Sequence, residues 1–310
     1  MSIFDLEHIF IVFHPGAGGN FIASLLEKVV RKDVSSINIG TTGTAHTVND
    51  RKIAGTDYLS FGTEVYEQSN FNSENDRINF YLDKIKDEYS DVTSPQIIWS
   101  HDFTNINLYK KYFPNSKILV IAQESYREKI AVVLFNVIKN ILDVSTLNPL
   151  TPKRMTEVLS IWNFVVNLEL VKLLGEVRAR EVDKTSLLYK YVSFSKMMQY
   201  YMLDNTSNDV VNRVLYPTAN MLVPEKSPYT IGKAYSDYTD GCIKLPFSYL
   251  MDNDSELLTE TLSQLVNLND EEKQIIVDNF AKYRNAQNQE ILNTPVEYYA
   301  TLKAEALKEI

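Results

Sequence analysis

Residues 8–14 read HIFIVFH, an almost unbroken apolar run with no alternation. A strand with one wet face alternates, whereas a strand covered on both faces reads as continuous apolar sequence, so this run predicts a central strand of a parallel sheet. Parallel neighbours need crossover connections, usually helices, and the chain is thereby directed toward an α/β fold. Pro15-Gly16-Ala17-Gly18-Gly19-Asn20 follows at once, and then FIASLLEKVVRK. In that last stretch Phe21, Leu25 and Val29, with the offset Ile22, Leu26 and Val30, are predicted to share one helical stripe. Asn20 suits the N-cap, and Arg31 and Lys32 suit the negative end of the helix dipole.

Strand, glycine-rich loop and helix N-terminus form an anion site for a physical reason. Glycines let the backbone turn tightly and approach an oxyanion, while the first unpaired helical amides point at it. Gly16, Ala17, Gly18, Gly19, Asn20 and Phe21 are therefore the candidate phosphate-binding residues. The competing reading is a turn whose glycines merely let strand and helix pack closely. The loop has no GxxxxGK[ST] pattern and no lysine, which argues against an ordinary ATP- or GTP-hydrolysing P-loop or a small-molecule kinase.

Two further strands are predicted to end near the same place. Gln96–Trp99 runs into Ser100-His101-Asp102, and Lys117–Ala122 runs into Gln123-Glu124-Ser125, with a short helix and turn between them. Ligands of open α/β sheets bind beyond the carboxyl ends of the strands. The glycine loop, His101 and the Gln123 segment all fall at such ends.

Composition limits the alternatives. The chain has 310 residues, 45% hydrophobic and 23% charged, and a net charge of −9, a poor match for phosphate-neutralising contact with nucleic acid. The single cysteine, Cys242, has no partner for a disulfide or a thiolate zinc cluster, and the histidines show no ligand spacing, so no metal is expected. Neither a secretory signal nor an apolar segment of membrane-spanning length is present, which predicts a soluble, cytoplasmic protein.

Three stretches resemble the sulfotransferases, which use the nucleotide PAPS (3′-phosphoadenylyl sulfate). FHPGAGGNFIASLL is similar to their 5′-phosphosulfate loop. WSHDFTNINLYKKYFPNSKILVIAQESYREKIAVVLFN resembles their run from a strand-end histidine through the strand that precedes the 3′-phosphate ligands. GCIKLPFSYLMDNDSELLTETLSQLVNLN looks like their late strand-to-helix segment. The resemblance covers about a third of the chain, in the family's order.

It implies a P-loop-like fold, PAPS as donor and PAP as product, a small-molecule or glycan hydroxyl acceptor, and His101 as general base. Its pattern also departs from the family's. Gly16 stands at the loop lysine, Ala122 at an arginine that grips the 3′-phosphate, and a serine expected near Val133 is missing. Ser125 and Arg127, with Gln123, are the residues available to replace those ligands. The departures favour a second reading, in which the fold has lost catalysis and serves as a binding or assembly component.

Elsewhere, Ser73–Tyr89, Arg127–Leu142, Pro152–Val177, Ser255–Leu268, Asp270–Ile291 and Pro295–Ile310 are predicted helices. A short strand is placed near Ser36–Ile39, and the stretch from Thr41 to Phe71, with His46, reads as loop. The Tyr-rich stretch 186–238 reads as a lid or as a surface for a protein partner, and the C-terminal helices are a second candidate surface for such a partner. The expected architecture is a three-layer α/β fold with a mainly parallel sheet of about five strands and helices on both faces. Residues 1–180 form the first part of the core, 181–238 an inserted subdomain, and 239–310 the last core strand and C-terminal helices.

Overall fold

The computed structural model describes residues 2–14, 16–31, 61, 71–90, 92–100, 103–137, 166–202 and 239–310. They form two compact units. Of the described residues, those within 2–124 and 239–287 form the first, and those within 125–202 and 288–310 the second.

In chain order the regular elements are β1 (Ile9–Val12), α1 (Gly19–Arg31), α2 (Glu74–Glu88), β2 (Ile97–Ser100), α3 (Ile106–Tyr112), β3 (Lys117–Ala122) and α4 (Tyr126–Val137). Then come α5 (166–174), α6 (Glu176–Glu181), α7 (Leu187–Met202), β4 (Ile243–Pro246) and α8 (Ser248–Met251). The chain closes with α9 (Ser255–Ser263), α10 (Asp270–Asn285), α11 (Gln289–Asn293) and α12 (Pro295–Ala306).

The protein is α/β, with four strands in the order β2-β1-β3-β4 and every pairing parallel. About five strands were expected; four lie among the described residues, and the strand placed near Ser36–Ile39 lies outside them. β1 is central and buried along its whole length, as its continuous apolar run requires. Its register sets Val12 opposite Ser100 on one side and Val120 on the other. The main-chain amide of Phe247 donates to the carbonyl of Ala122 (2.7 Å), which extends the last pairing beyond β4.

Side chains alternate across the sheet as the pleat dictates. Phe10, Val12, Ile98, Ile118 and Val120 join Ile85 and Tyr89 of α2 and its C-cap, and Ile106, Tyr109 and Phe113 around α3, in one apolar core. The Phe10 and Tyr109 rings are stacked with centroids 4.1 Å apart. α1 lies against β1 and β2 and is itself backed by α10. Phe21, Ile22, Leu25, Leu26 and Val29 are buried as expected, but Val30 is exposed, since the offset row drifts off the stripe by the last turn.

Two expected helices are interrupted. The stretch drawn through Val177 breaks at Gly175, whose φ of 78° ends α5 before α6 begins. The stretch drawn through Ile291 ends at Asn285, and Asn288 caps a new helix by accepting from the amide of Ile291. α2 begins where expected, because the Ser73 hydroxyl accepts from the amide of Asp76.

The second unit is helical among its described residues. Val166, Leu170, Ala179, Leu188, Tyr189, Val192 and Ala306 form its core. The Glu309 carboxylate accepts from the amides of Leu187 and Leu188 at the start of α7, a favourable place for a negative charge. α12 docks on α7 through Phe194 and Tyr299, with ring centroids 4.4 Å apart. No described helix is long and apolar enough to cross a membrane.

Candidate functional site

In the order β2-β1-β3-β4 the chain leaves β1 toward β2 on one side and returns to β3 on the other. The crevice where strand order reverses thus lies between β1 and β3, at their carboxyl ends. The loop after β1 opens there. The amide of Ala17 donates to the carbonyl of His14 (3.0 Å) and closes a turn, and Gly16 and Gly18 have φ of 92° and 75°.

α1 starts one residue before the expected cap. The Gly18 carbonyl accepts from the amides of Phe21 (3.0 Å) and Ile22 (3.3 Å), so Gly18 is the N-cap and Asn20 stands inside the first turn. The positive φ of Gly18 permits the chain to enter the helix there, a conformation that asparagine at position 20 does not need to supply. Phe21 is thereby removed from the set of free donors, as is Ala17. The amides of Gly18, Gly19 and Asn20 make no hydrogen bond to a described residue.

Gly19 has a packing role. A Cβ at this position would lie less than 3.0 Å from the ring of Phe13, closer than real Cβ atoms stand. The close-packing reading of the glycine turn therefore holds at position 19. At position 18 the neighbours are polar: a Cβ would lie 3.0 Å from the hydroxyl oxygen of Tyr283 and 3.4 Å from that of Tyr249.

Those tyrosines come from the other half of the first unit. Tyr249 lies three residues beyond β4, in α8, and Tyr283 lies near the end of α10. Tyr249 is completely buried, and its hydroxyl has no hydrogen-bond partner among the described residues. The ring of Tyr283 stacks on Phe21 of α1, with centroids 4.0 Å apart and planes 6° from parallel. Arg284 holds the two helices together by donating to the carbonyls of Leu250 (3.1 Å) and Met251 (3.3 Å). Burial pushes the phenol of Tyr249 well above its ordinary value, with the neighbouring Tyr283 adding to the effect, and burial also raises Tyr283. Both hydroxyls therefore keep their protons.

Gln123 follows β3 and is buried. Its Nε2 donates to the Ile121 carbonyl (3.1 Å), and its Oε1 has no partner among the described residues, like Oδ1 of Asn20. Ser125 and Arg127 belong to the second unit and are engaged there. Ser125 caps α4 in a reciprocal box: its hydroxyl accepts from the amide of Glu128 (3.2 Å), and its amide donates to the Glu128 carboxylate (2.7 Å). Arg127 donates to the carbonyl of Asn293 (3.3 Å). His101, the expected base, and His46 lie outside the described residues.

Sequence reasoning missed both tyrosines. The strand-end rule that singled out Gln123 would have found Tyr249 if applied to β4. Nothing in the sequence joins Tyr283 to the loop, because it arrives from a helix more than 260 residues later. Among the described residues, no three His, Cys, Asp or Glu side chains group as metal ligands would. Compared with known proteins, the chain matches no family model, no curated protein and no solved structure.

Proposed function

We propose that the first unit receives the phosphosulfate end of PAPS in the loop after β1, and that the protein transfers the sulfuryl group to a hydroxyl of a small molecule or glycan. The observation that carries this reading is the set of uncommitted amides at Gly18, Gly19 and Asn20, at the positive end of the 13-residue α1 and beside the switch point of a parallel sheet. The P-loop-like, three-layer arrangement and the helical insertions belong to the same proposal. The likeness of the three sequence stretches supports it.

The residues present suit an oxyanion. The three amides donate, α1 presents its positive end, and the groups that stand over Gly18 are the hydroxyls of Tyr283 and Tyr249. PAPS supplies an activated sulfuryl group when bound. The loop amides would hold the charge that develops on the transferring group and on the departing phosphate. His101 would take the proton of the acceptor hydroxyl as its oxygen attacks sulfur. With an ordinary pKa of ~6.5, imidazole suits that task near neutral pH.

A second reading, an assembly or binding component without catalysis, is favoured by one observation. The loop carries no cation, and Ala122, where the resemblance expects an arginine, offers only a buried methyl group. Isothermal titration with 3′,5′-ADP (PAP) tests the nucleotide proposal. Micromolar binding that Gly18→Asp abolishes supports it, and no binding at millimolar ligand overturns it. If PAP binds, full transferase activity in His101→Ala removes the proposed base, whereas PAP binding with no transfer to any hydroxyl acceptor leaves the second reading.

A further inference from the structure

We infer that the hydroxyls of Tyr249 and Tyr283 are ligands for a tetrahedral oxyanion seated at Gly18, where neutral donors do the work for which this loop has no lysine. The inference rests on the reading of the loop as an oxyanion cradle, and it names two binding residues and the ligand class they take.

Three observations converge. The first is an unpaired group: Tyr249 is completely buried, yet its hydroxyl has no partner among the described residues. Leaving a buried hydroxyl unsatisfied costs about 1–3 kcal/mol, and native structures seldom retain one without a use. The second is place. Two hydroxyls from different helices meet over the same residue, 3.0 and 3.4 Å from the point where a Cβ of Gly18 would stand. The third is the identity of that residue. Gly18 is the N-cap of α1, toward which the first free amides of the helix point.

Counting donors and acceptors names the ligand. Three amides and two hydroxyls can donate toward this helix end, and the Gly18 carbonyl is already taken by Phe21 and Ile22. The acceptors without a partner among the described residues, Oδ1 of Asn20 in the first turn of α1 and Oε1 of Gln123 after β3, leave donors in excess. The complement of a donor-rich, cation-poor site is a group with several acceptor oxygens and a charge that the helix end can stabilise: sulfate, or the phosphate or sulfate group of a larger molecule. Because burial keeps both phenols protonated, they remain donors rather than like charges.

The test is isothermal titration of the full-length protein with sodium sulfate, sodium phosphate and PAP, for the wild type, Tyr249→Phe and Tyr283→Phe. Phenylalanine keeps the ring, including the stack on Phe21, and removes only the hydroxyl. Each variant is expected to bind the oxyanion about ten- to a hundredfold more weakly, the range for a hydrogen bond to a charged group. Unliganded thermal stability should not fall in Tyr249→Phe, since the lost hydroxyl has no partner among the described residues. Unchanged affinity in both variants overturns the inference even if PAP binds tightly, and then the nucleotide proposal survives alone. Sulfate or phosphate binding that the variants weaken, with PAP no tighter than inorganic phosphate, leaves the inference standing and removes the nucleotide. Failure of the wild type to bind any of the three at millimolar concentration overturns both.

Discussion

The ring of Phe21 lies flat on that of Tyr283, with centroids 4.0 Å apart and planes 6° from parallel. The first turn of α1 and the last turn of α10 are thus joined by an aromatic contact beside Gly18, where the glycine loop ends and α1 begins. Tyr283→Ala should cost about 3–5 kcal/mol in urea unfolding, as large-to-small changes at buried aromatics do. Tyr283→Phe should stay close to wild type. Phe21→Ala combined with Tyr283→Ala should show a coupling of about 0.5–1.5 kcal/mol beyond burial alone. Strictly additive losses would mean that the rings are neighbours without an interaction of their own.

Gly19 and Phe13 form a second dependent pair, since a Cβ at position 19 would enter the Phe13 ring. Gly19→Ala should therefore destabilise the fold by about 1–3 kcal/mol, the usual cost of overpacking. In a Phe13→Ala background the same change should be much milder, because the ring it strikes is gone. Gly18→Ala should behave differently. Its strain comes from a φ of 75°, worth about 1–2 kcal/mol, and no removal of Phe13 should relieve it. Equal rescue of both alanine variants by Phe13→Ala would refute this division of roles.

How far the sequence reveals this arrangement depends on the range of the interactions. β1 was legible because burial on both faces leaves a continuous apolar run, and α2 because Ser73 and the spacing of Ile78, Leu82 and Ile85 are local signals. The glycine loop was legible as a turn but ambiguous in purpose, and its two readings divide by residue: Gly19 is there for Phe13, while Gly18 lies under two hydroxyls. The N-cap was misplaced to Asn20 because a glycine at φ of 75° caps through backbone geometry, which a side-chain rule does not see. Tyr283 was illegible because its proximity to Gly18 depends on how α10 packs against α1, an outcome of tertiary packing with no local period. The breaks at Gly175 and before Asn288 are written in the sequence, as a glycine and a capping asparagine, and each expected helix was drawn through them.

His8 gives the fold a dependence on pH. It is completely buried, and its Nδ1 accepts from the amide of Gln96 (3.0 Å), while Nε2 lies 2.8 Å from the Ile3 carbonyl. An amide can only donate, so Nδ1 is bare and Nε2 carries the proton toward the carbonyl. Burial, the largest influence, lowers the pKa from its ordinary 6.5, and the hydrogen bond to Ile3 works against that shift. The folded protein therefore resists a proton that the unfolded chain accepts. Stability from this group is complete above about pH 6.5 and is lost as the pH falls from there toward the lowered folded value, with a slope of at most about 1.4 kcal/mol per pH unit for one proton. The urea midpoint of wild type should drop between pH 7 and 5 more steeply than that of His8→Gln. Parallel curves would show that His8 contributes no proton linkage.

Ser125 separates a structural role from a ligand role. The resemblance makes it a substitute for a missing 3′-phosphate ligand, whereas its hydroxyl and amide are both engaged with Glu128 at the start of α4. Removing the hydroxyl in Ser125→Ala should cost about 1 kcal/mol, the usual worth of an N-cap. Ser125→Asp should restore most of that loss, because its carboxylate can accept from the same helix amides, although it now faces Glu128 and so will not recover all of it. A capping role therefore predicts that stability follows the order Ser, Asp, Ala, while PAP affinity stays the same in all three. A phosphate ligand predicts another pattern: Asp, bringing negative charge against the 3′-phosphate, should weaken PAP binding more than Ala does. Titration calorimetry and urea unfolding on the same three proteins decide between them, since cap strength and anion affinity then move in opposite directions at one side chain.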